Sequence, residues 1–458
     1  MPAKRTTLFK YGSSRQHGVA LLVLLVILVI GAAILLVSSL SSSALQRKRD
    51  KITGAALMQA KEALIGYAAS LALTPSGASR PGDLPCPDVN NDGIPDTPCN
   101  GNALGRLPWK TLGLADLRDG SGERLWYAVS SNFKNNPRTP LLNSDTSGTI
   151  SVSSSDGNLQ YDGGAGGTGV AAVIIAPGAV LTRTDKTTAQ DRSSAGINTA
   201  SNYLDIATVN GNTEDNANFT DGSSANGFIQ GSIKDSNGNV ILNDQLLAIT
   251  QDNIMQVAQK RVAAEVKQCL NQYASDPQNV GRYPWAAPTN NFPNYQDQTN
   301  QLFGRIPDTP FINTCLDSGG NNFSWSGNDC SHNPTTGMKN TWTGNCNINS
   351  ASGWWLNWKE MVFYGLAHFY RPINPLNPPA ANGCASAGEC LMVNPPSSAQ
   401  DKLFVAIAAG KTLSGQARSS SANKGALSNY LEGANTDGAT PFQQSPPSTT
   451  FNDTAAFQ

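Results

Sequence analysis

The feature that most constrains this chain is an uncharged, apolar run near its amino end. Residues Val19 to Leu40 follow a basic leader and span 22 positions without a charged side chain. An α-helix of about 20 apolar residues is long enough to cross a hydrocarbon core of roughly 30 Å. A cleavable secretory signal has an apolar core of only about 7–15 residues, so cleavage after Ala44 is the weaker alternative. The run therefore predicts a membrane-spanning helix whose amino end stays in the cytoplasm.

The residues at the start of this run resemble a known processing signal. The sequence RQHG (15–18) followed by VALL (19–22) is similar to the leader of type IV pilins and type II secretion pseudopilins. The resemblance implies that prepilin peptidase cuts between Gly18 and Val19, that the new amino terminus is methylated, and that the helix then enters a filament. Most members have Glu at mature position five, where this chain has Val23. Because a charge in lipid is retained when it has a partner, its absence implies a minor subunit at the filament tip.

The same resemblance implies partners and a location. The partners would be other pilin or pseudopilin subunits, held through the N-terminal helix, together with prepilin peptidase and the assembly platform of the bacterial inner membrane. The protein would be a single-pass inner-membrane protein with its head in the periplasm, and later part of a filament tip. A statically anchored extracytoplasmic protein is the alternative. A pilus, a secretion pseudopilus and a DNA-uptake device all remain open.

The composition is typical of an exported protein that is rich in loops. Charged residues make up only 14% of the chain, whereas glycine and proline contribute 43 and 27 residues. The formal net charge of −1 argues against a nucleic-acid partner, because such partners are held largely by an excess of basic side chains. The chain contains neither an HExxH nor a GxSxG motif, and only His332 and His368 lie beyond the leader. The sequence therefore predicts a protein that is not an enzyme.

Eight cysteines, an even number, all lie beyond the apolar run. In an oxidising compartment such a set forms disulfides. Cys86 with Cys99 and Cys384 with Cys390 are close enough in sequence for local bridges. The other four are expected to pair among themselves: Cys269, Cys315, Cys330 and Cys346. Zinc binding is disfavoured because no CxxC pair occurs.

One acidic loop has the spacing of a calcium site. Asp88, Asn90 and Asp92 occupy positions 1, 3 and 5, Gly93 occupies position 6, and Asp96 occupies position 9. Position 12, which holds a bidentate Glu in an EF-hand, is a cysteine here. The loop therefore predicts at best a weak Ca²⁺ site, and a turn that needs no ion is the alternative.

Beyond the apolar run, the helical pattern continues to about residue 75. Leu57, Leu64 and Leu71 recur every seven residues and alanines flank them, which gives an apolar stripe with a period near 3.6. The predicted fold class is α+β. It consists of a long N-terminal transmembrane and amphipathic helix packed on an antiparallel β-sheet, with a duplicated soluble α+β module.

The duplication is predicted because short segments recur in the same order in both halves of the chain. The pairs are ALIGYAAS (63–70) with QCLNQYAS (268–275), GRLPW (105–109) with GRYPW (281–285), VAAVIIAPG (170–178) with LFVAIAAG (403–410), QDRSSA (190–195) with QARSSS (416–421), SNYLD (201–205) with SNYLE (428–432), and NTEDNANF (212–219) with NTDGATPF (435–442). The predicted organisation is a leader (1–18), a helix (19–75), a first module (76–242), a second module (243–440) and a flexible tail (441–458).

The second module carries a cluster of aromatic residues. Its members are Trp354, Trp355, Trp358, Phe363 and Tyr364. Aromatic residues with this spacing favour a hydrophobic core. The alternative is an exposed platform, through which a tip or surface adhesin would bind a glycan or another surface.

Overall fold

The computed structural model describes residues 17–71, 79–138, 141–164, 167–310, 315–316, 322–323, 338–344, 346, 348, 353–372, 383–385 and 388–458. Between residues 17 and 43 it gives the backbone and the side chains of Leu25, Leu28 and Val29. Most of the predicted leader therefore lies outside the described residues. The same holds for the side chains of Gly18, Val19 and Val23.

Within the described residues, the secondary structure is a set of mostly short strands and four α-helices. The helices are α1 (His17–Ser70), α2 (Gln251–Ser275), α3 (Trp354–Trp358) and α4 (Ser421–Gly425). The strands are β1 (Ala103–Arg106), β2 (Trp126–Val129), β3 (Val152–Ser153), β4 (Leu159–Tyr161), β5 (Ala172–Ala176), β6 (Ile206–Val209), β7 (Asn212–Asp215), β8 (Phe228–Ile229), β9 (Ile233–Lys234), β10 (Val240–Leu242), β11 (Gln245–Ile249), β12 (Phe303–Arg305), β13 (Cys315–Leu316), β14 (Asn322–Phe323), β15 (Val362–Leu366), β16 (Phe404–Ala408) and β17 (Thr454–Phe457).

Two four-stranded antiparallel sheets with the same topology organise the molecule. The first has the order β1-β2-β5-β11 and the second has the order β12-β15-β16-β17, so both follow the order of the chain. Each sheet is preceded by a helix that crosses its last two strands: α1 on β5 and β11, and α2 on β16 and β17. The fold class is therefore α+β with antiparallel sheets.

The central strand of each sheet is buried on both faces. Along β5, Ala172, Ile174 and Ala176 belong to the core beneath the helices, whereas Val173 and Ile175 belong to a second cluster on the opposite face. This alternation follows from the two-residue repeat of a strand. It explains why the segment has a continuous apolar sequence.

The predicted module boundaries need correction at both ends of the second half. The strand β11 lies beyond the predicted boundary at residue 242 and completes the first sheet. Residues 454–457 were predicted as part of a flexible tail, yet they form β17 and pair with β16 from Ala408↔Thr454 to Val405↔Phe457. The tail prediction failed because this segment, TAAF, has no strong apolar pattern and gains its order from backbone pairing.

The predicted membrane-spanning helix also needs correction. In the part of the chain that the structure describes, no helix is long and apolar enough to cross a membrane. The physical reason lies in the described side chains of α1: the segment from Ala44 to Ser70 carries charged residues such as Arg47 and Lys61, and its apolar stripe packs on a sheet. The transmembrane part of the predicted fold class and the single-pass inner-membrane location are therefore wrong on this finding.

Three disulfides lie within the described residues. Cys86–Cys99 and Cys384–Cys390 are bonded as predicted, with Cα–Cα distances of 5.7 and 5.2 Å. The third bond joins Cys269 on α2 to Cys346, within the predicted set of four. The side chains of the remaining two cysteines, 315 and 330, lie outside the described part. These three bonds agree with an oxidising compartment.

Candidate functional site

The helix α1 joins the head through its carboxyl-terminal portion. The buried residues of α1 recur at helical spacing: Thr53, Ala56, Leu57, Ala60, Leu64 and Ala68. From Ala44 to Ile52, by contrast, every side chain is exposed. The described side chains of α1 that precede Thr53 are therefore available to another molecule.

Two polar contacts fix α1 on the first sheet. The backbone N–H of Gly120 donates to Thr53 Oγ1 at 2.9 Å, and Lys61 Nζ donates to the carbonyl of Ala248 on β11 at 3.3 Å. A side chain at Gly120 would collide with the backbone of Arg49. The turn at Gly120 therefore needs glycine because the helix backbone passes directly above it.

The described side chains near the start of α1 are exposed and apolar. Leu25, Leu28 and Val29 are 58%, 66% and 58% exposed, and Leu45 is 58% exposed. The first three lie within one turn at spacings of three and four residues, which places them on one side of the helix. Apolar groups clustered in this way indicate a surface for association.

The acidic loop that resembles a calcium site closes through its own hydrogen bonds. The buried carboxylate of Asp88 accepts from the backbone N–H groups of Asn91, Asp92 and Gly93 at 2.6, 3.1 and 2.6 Å. Asp96 accepts from two further backbone N–H groups at 2.6 and 3.1 Å. Burial raises the pKa of Asp88, although these donors act in the opposite direction.

Two cationic side chains donate hydrogen bonds to other oxygens of this loop. Arg124 donates to the carbonyl and to Oδ1 of Asn91 at 2.9 and 2.8 Å, and Lys110 Nζ donates to the carbonyl of Asp92. No group of three or more His, Cys, Asp or Glu side chains suited to a metal occurs among the described residues. The site from Asp88 to Asp96 stays a prediction, and these contacts favour the ion-free turn.

We expect Asp88→Ala to lower the free energy of unfolding by about 2–3 kcal/mol, because three backbone N–H groups, one buried and two part-buried, lose a charged acceptor. Chemical denaturation should give the same loss in chelator and in about 5 mM Ca²⁺, which exceeds the dissociation constants of about 10⁻⁴–10⁻³ M found in extracellular modules. Asp92→Ala is the matched control, because Asp92 Oδ1 accepts from one backbone N–H, that of Ile94. Stabilisation of the unmodified protein by Ca²⁺ would contradict the ion-free turn.

Each half contains a buried tyrosine held between two arginines. In the first half, the guanidinium groups of Arg106 and Arg192 lie 3.9 and 4.9 Å from the ring centroid of Tyr203. In the second half, Arg305 and Arg418 both lie 4.3 Å from the ring centroid of Tyr430. We call these two groups the arginine–tyrosine clusters. Their chemistry is a cation–π contact of two guanidinium groups with one ring.

The hydrogen bonds of the two clusters match atom by atom. Arg192 donates to the carbonyls of Gly178 and Asn202 at 2.8 and 3.0 Å. Arg418 donates to those of Gly410 and Asn429 at 2.9 and 2.6 Å. This agreement places the predicted segment pairs QDR (190–192) with QAR (416–418) and SNYL (201–204) with SNYL (428–431) in equivalent environments.

A pair of buried carboxyl groups lies beside each cluster. The backbone N–H of Asp205 donates to Asp244 Oδ2 at 2.8 Å, and that of Glu432 donates to Asp453 Oδ2 at 3.1 Å. Burial raises the pKa of Asp205 to about 6. Burial, and then the charge of the neighbouring carboxyl, raises the pKa of Asp244 and of Asp453 well above the usual value. Both halves have such a pair, and one of its members comes immediately before the last strand of the sheet, β11 or β17. We therefore interpret the pair as a structural feature that positions this strand.

Sequence reasoning missed most of these buried residues. The segment GRLPW (105–109) was paired with GRYPW (281–285), yet the strand register pairs GRLP (105–108) with GRIP (304–307). Arg106 lies opposite Trp126, and Arg305 lies opposite Phe363. A second available signal was the recurrence of LND (242–244) as FND (451–453).

A polar cleft of about 500 Å³ lies where the two halves meet. Its charged residues are already paired: Arg418 binds both oxygens of Asp145 at 2.9 Å, and Lys411 binds Asp252 at 2.7 Å. Uncharged residues complete the wall, among them Tyr161, Gln160 and Thr412. The cleft therefore offers neutral polar groups.

The aromatic cluster of the second half forms core. The rings of Trp354, Trp355, Trp358, Phe363 and Tyr364 are all fully buried. The alternative of an exposed platform is therefore wrong. Comparison with protein-family models, curated proteins and solved structures gives no match.

Proposed function

We propose that this protein is a non-enzymatic minor subunit of a type IV pilin-like or pseudopilin-like filament, which joins neighbouring subunits through α1. The observation that carries the proposal is the geometry of α1, one helix from His17 to Ser70 whose described side chains are exposed before Thr53 and become buried against the head from Thr53 onward. At 1.5 Å per residue, this helix is about 80 Å long. A filament subunit of this class needs such a helix, because its free portion packs against the helices of other copies.

The exposed apolar side chains of α1 support this role. Leu25, Leu28 and Val29 lie on one side of the free portion and are more than half exposed. Helices that bury such faces against each other gain roughly 25 cal/mol for each Å² removed from water. Neighbouring copies of the helix would therefore stabilise one another.

The size of the head supports a position at the filament tip. Two sheets, each with its own helix, share one hydrophobic core. A head of this width would obstruct the close repeat of subunits along a shaft, whereas a terminal subunit meets no such limit. The three disulfides fit a head that functions in an oxidising compartment.

The test is processing by prepilin peptidase. We expect mass spectrometry of the protein from its native cells to find a mature terminus at Val19 that carries a methyl group. Gly18→Val should leave the leader attached, because this peptidase requires the glycine that precedes the cut in the family that the leader resembles. Gly12→Val is the matched control within the leader and should leave processing unchanged.

An intact leader in the unmodified protein, or a terminus at Leu45, would contradict the proposed function. Normal cleavage in the Gly18→Val variant would contradict it as well.

A further inference from the structure

The internal duplication allows equivalent positions to be compared between the two halves. The backbone N–H of Leu84 donates to the carbonyl of Phe133 at 2.8 Å, and that of Tyr283 donates to the carbonyl of Tyr370 at 3.0 Å. The hydroxyl groups of Tyr127 and Tyr364 then donate to the carbonyls of the next residues, prolines 85 and 284, both at 3.2 Å. Leu84 and Pro85 are therefore equivalent to Tyr283 and Pro284. The residues that precede them, 83 in the first half and 282 in the second, occupy equivalent positions as well.

In the first half, this position holds a carboxylate with cationic partners. Asp83 is fully buried, and its oxygens accept from Arg80 at 2.8 Å and from Arg138 at 3.0 Å. The charge of this buried group is therefore balanced within the chain.

In the second half, the same position holds a cation. Arg282 is 6% exposed, lies 4.5 Å above the ring of Phe369, and has an Nη1 with no hydrogen-bond partner among the described residues. Arg371 lies nearby and is half-buried, and its Nε also has no partner there. Burial and then the charge of Arg371 lower the pKa of Arg282 to about 10. Arg282 also lies 6.0 Å from the ring of Tyr370, the residue that precedes Arg371. A second guanidinium group is therefore close to the position at which the first half has a carboxylate.

The acidic side chain that acts on Arg371 is already engaged. Glu389 Oε2 lies 3.0 Å from Nδ1 of His368, which in turn contacts Arg371 Nη1 at 3.1 Å. The charge of Glu389 raises the pKa of Arg371, whereas no carboxylate is among the groups that shift the pKa of Arg282. The adjacent segments 373–382 and 386–387 contain neither Asp nor Glu in their sequence.

We propose that Arg282 and Arg371 form a binding site for a small oxyanion, either a carboxylate or a tetrahedral anion such as sulfate or phosphate. A guanidinium group presents parallel N–H donors that match two oxygens of such an anion. A buried cation without an anionic partner among the described residues is costly, and an anion between the two groups removes that cost. Arg371 is half-buried and gives the anion access from solvent. This proposal does not depend on the proposed function.

The test is thermal unfolding of the full chain during titration with sodium sulfate, phosphate or acetate, at constant ionic strength set by sodium chloride. We expect saturable stabilisation by at least one of the three anions. In Arg282→Gln and in Arg371→Gln, the dissociation constant obtained from the titration should rise at least tenfold. Arg261→Gln is the matched control, since Arg261 lies on α2 and pairs with Glu265, and its affinity should be unchanged.

Two outcomes would overturn the proposal: no saturable stabilisation by any of the three anions, or equal stabilisation in both site variants and the control. If Arg282→Gln does not fold, as judged by circular dichroism, the result for Arg371→Gln decides, because this half-buried side chain can be replaced without opening the core. Analytical ultracentrifugation distinguishes a free anion from an acidic side chain of another copy. A monomer at saturating anion supports the small ligand, whereas self-association that the anion abolishes would show that the site takes a protein carboxylate, contrary to the proposal.

Discussion

Tyr430→Ala is expected to lower the free energy of unfolding by about 3–5 kcal/mol, the range for removal of a large aromatic side chain from a core. The ring of Tyr430 is fully buried, and the guanidinium groups of Arg305 and Arg418 both lie 4.3 Å from its centroid. Its loss leaves a cavity and removes the contact that holds both buried cations. Chemical denaturation followed by circular dichroism measures the change.

Two variants test whether the ring causes this loss. Tyr430→Phe keeps the ring and removes only the hydrogen bond to Glu360, so we expect a loss of about 1–2 kcal/mol. Tyr203→Ala removes the equivalent ring of the first half and should cost as much as Tyr430→Ala. A loss below about 1 kcal/mol for Tyr430→Ala, typical of a surface position, would contradict a structural role for the arginine–tyrosine clusters.

The free energy of unfolding is expected to fall as the pH rises from about 4 to about 7. The folded protein holds the pKa of Asp205 at about 6, above the usual value near 3.8. A carboxyl group whose pKa is raised by folding stabilises the protein fully below its unfolded pKa, and this contribution is lost as the pH rises through the folded pKa. A shift of about two pKa units corresponds to about 3 kcal/mol.

Asp244 and Asp453 add to this pH dependence, because burial and then the neighbouring carboxyl raise the pKa of each well above the usual value. The double variant Asp244→Asn with Asp453→Asn should therefore reduce the dependence and leave the part that comes from Asp205. Both side chains are buried, and each accepts from a backbone N–H through an oxygen that asparagine retains. The neutral amide ends the repulsion within each carboxyl pair, so the variant should be at least as stable as the unmodified protein at pH 7. Asp401→Asn is the control, because Asp401 is exposed. An unchanged pH dependence in the double variant would exclude Asp244 and Asp453 as contributors.

Strongly periodic segments could be predicted from the sequence. The helix α2 and the central strands β5 and β16 follow their apolar patterns, and the repeated tripeptides QDR and QAR occupy equivalent places. The strand register could not be predicted in the same way. GRYPW (281–285) is similar in sequence to GRLPW (105–109), yet the residue equivalent to Arg106 in the second sheet is Arg305. Strand pairing depends on contacts between distant segments, which short matches do not reveal.

The buried charges could not be predicted for a related reason. Arginine and aspartate are mostly surface residues, so nothing local marks Arg106 or Asp244 as core. Their burial requires partners from other segments: the ring of Trp126 on the neighbouring strand for Arg106, and the side-chain amide of Asn216 for Asp244. The loop from Asp88 to Asp96 is the opposite case, in which a local pattern is recognisable but does not determine the role. Carboxylates with the spacing of a calcium site can accept hydrogen bonds from backbone N–H groups of the same loop instead of binding a metal ion.

The junction between the halves determines how a mechanical load would travel. Thr250 is the single residue between β11 and α2, and its side chain caps that helix. Leu142 and Asn143 are bonded to Asn357 across the interface. A force applied along α1 would first act as shear between α1 and the last two strands of the first sheet. Because no flexible linker separates β11 from α2, the force would then pass directly through α2 to the second sheet. The two halves would therefore resist extension together, as one mechanical unit.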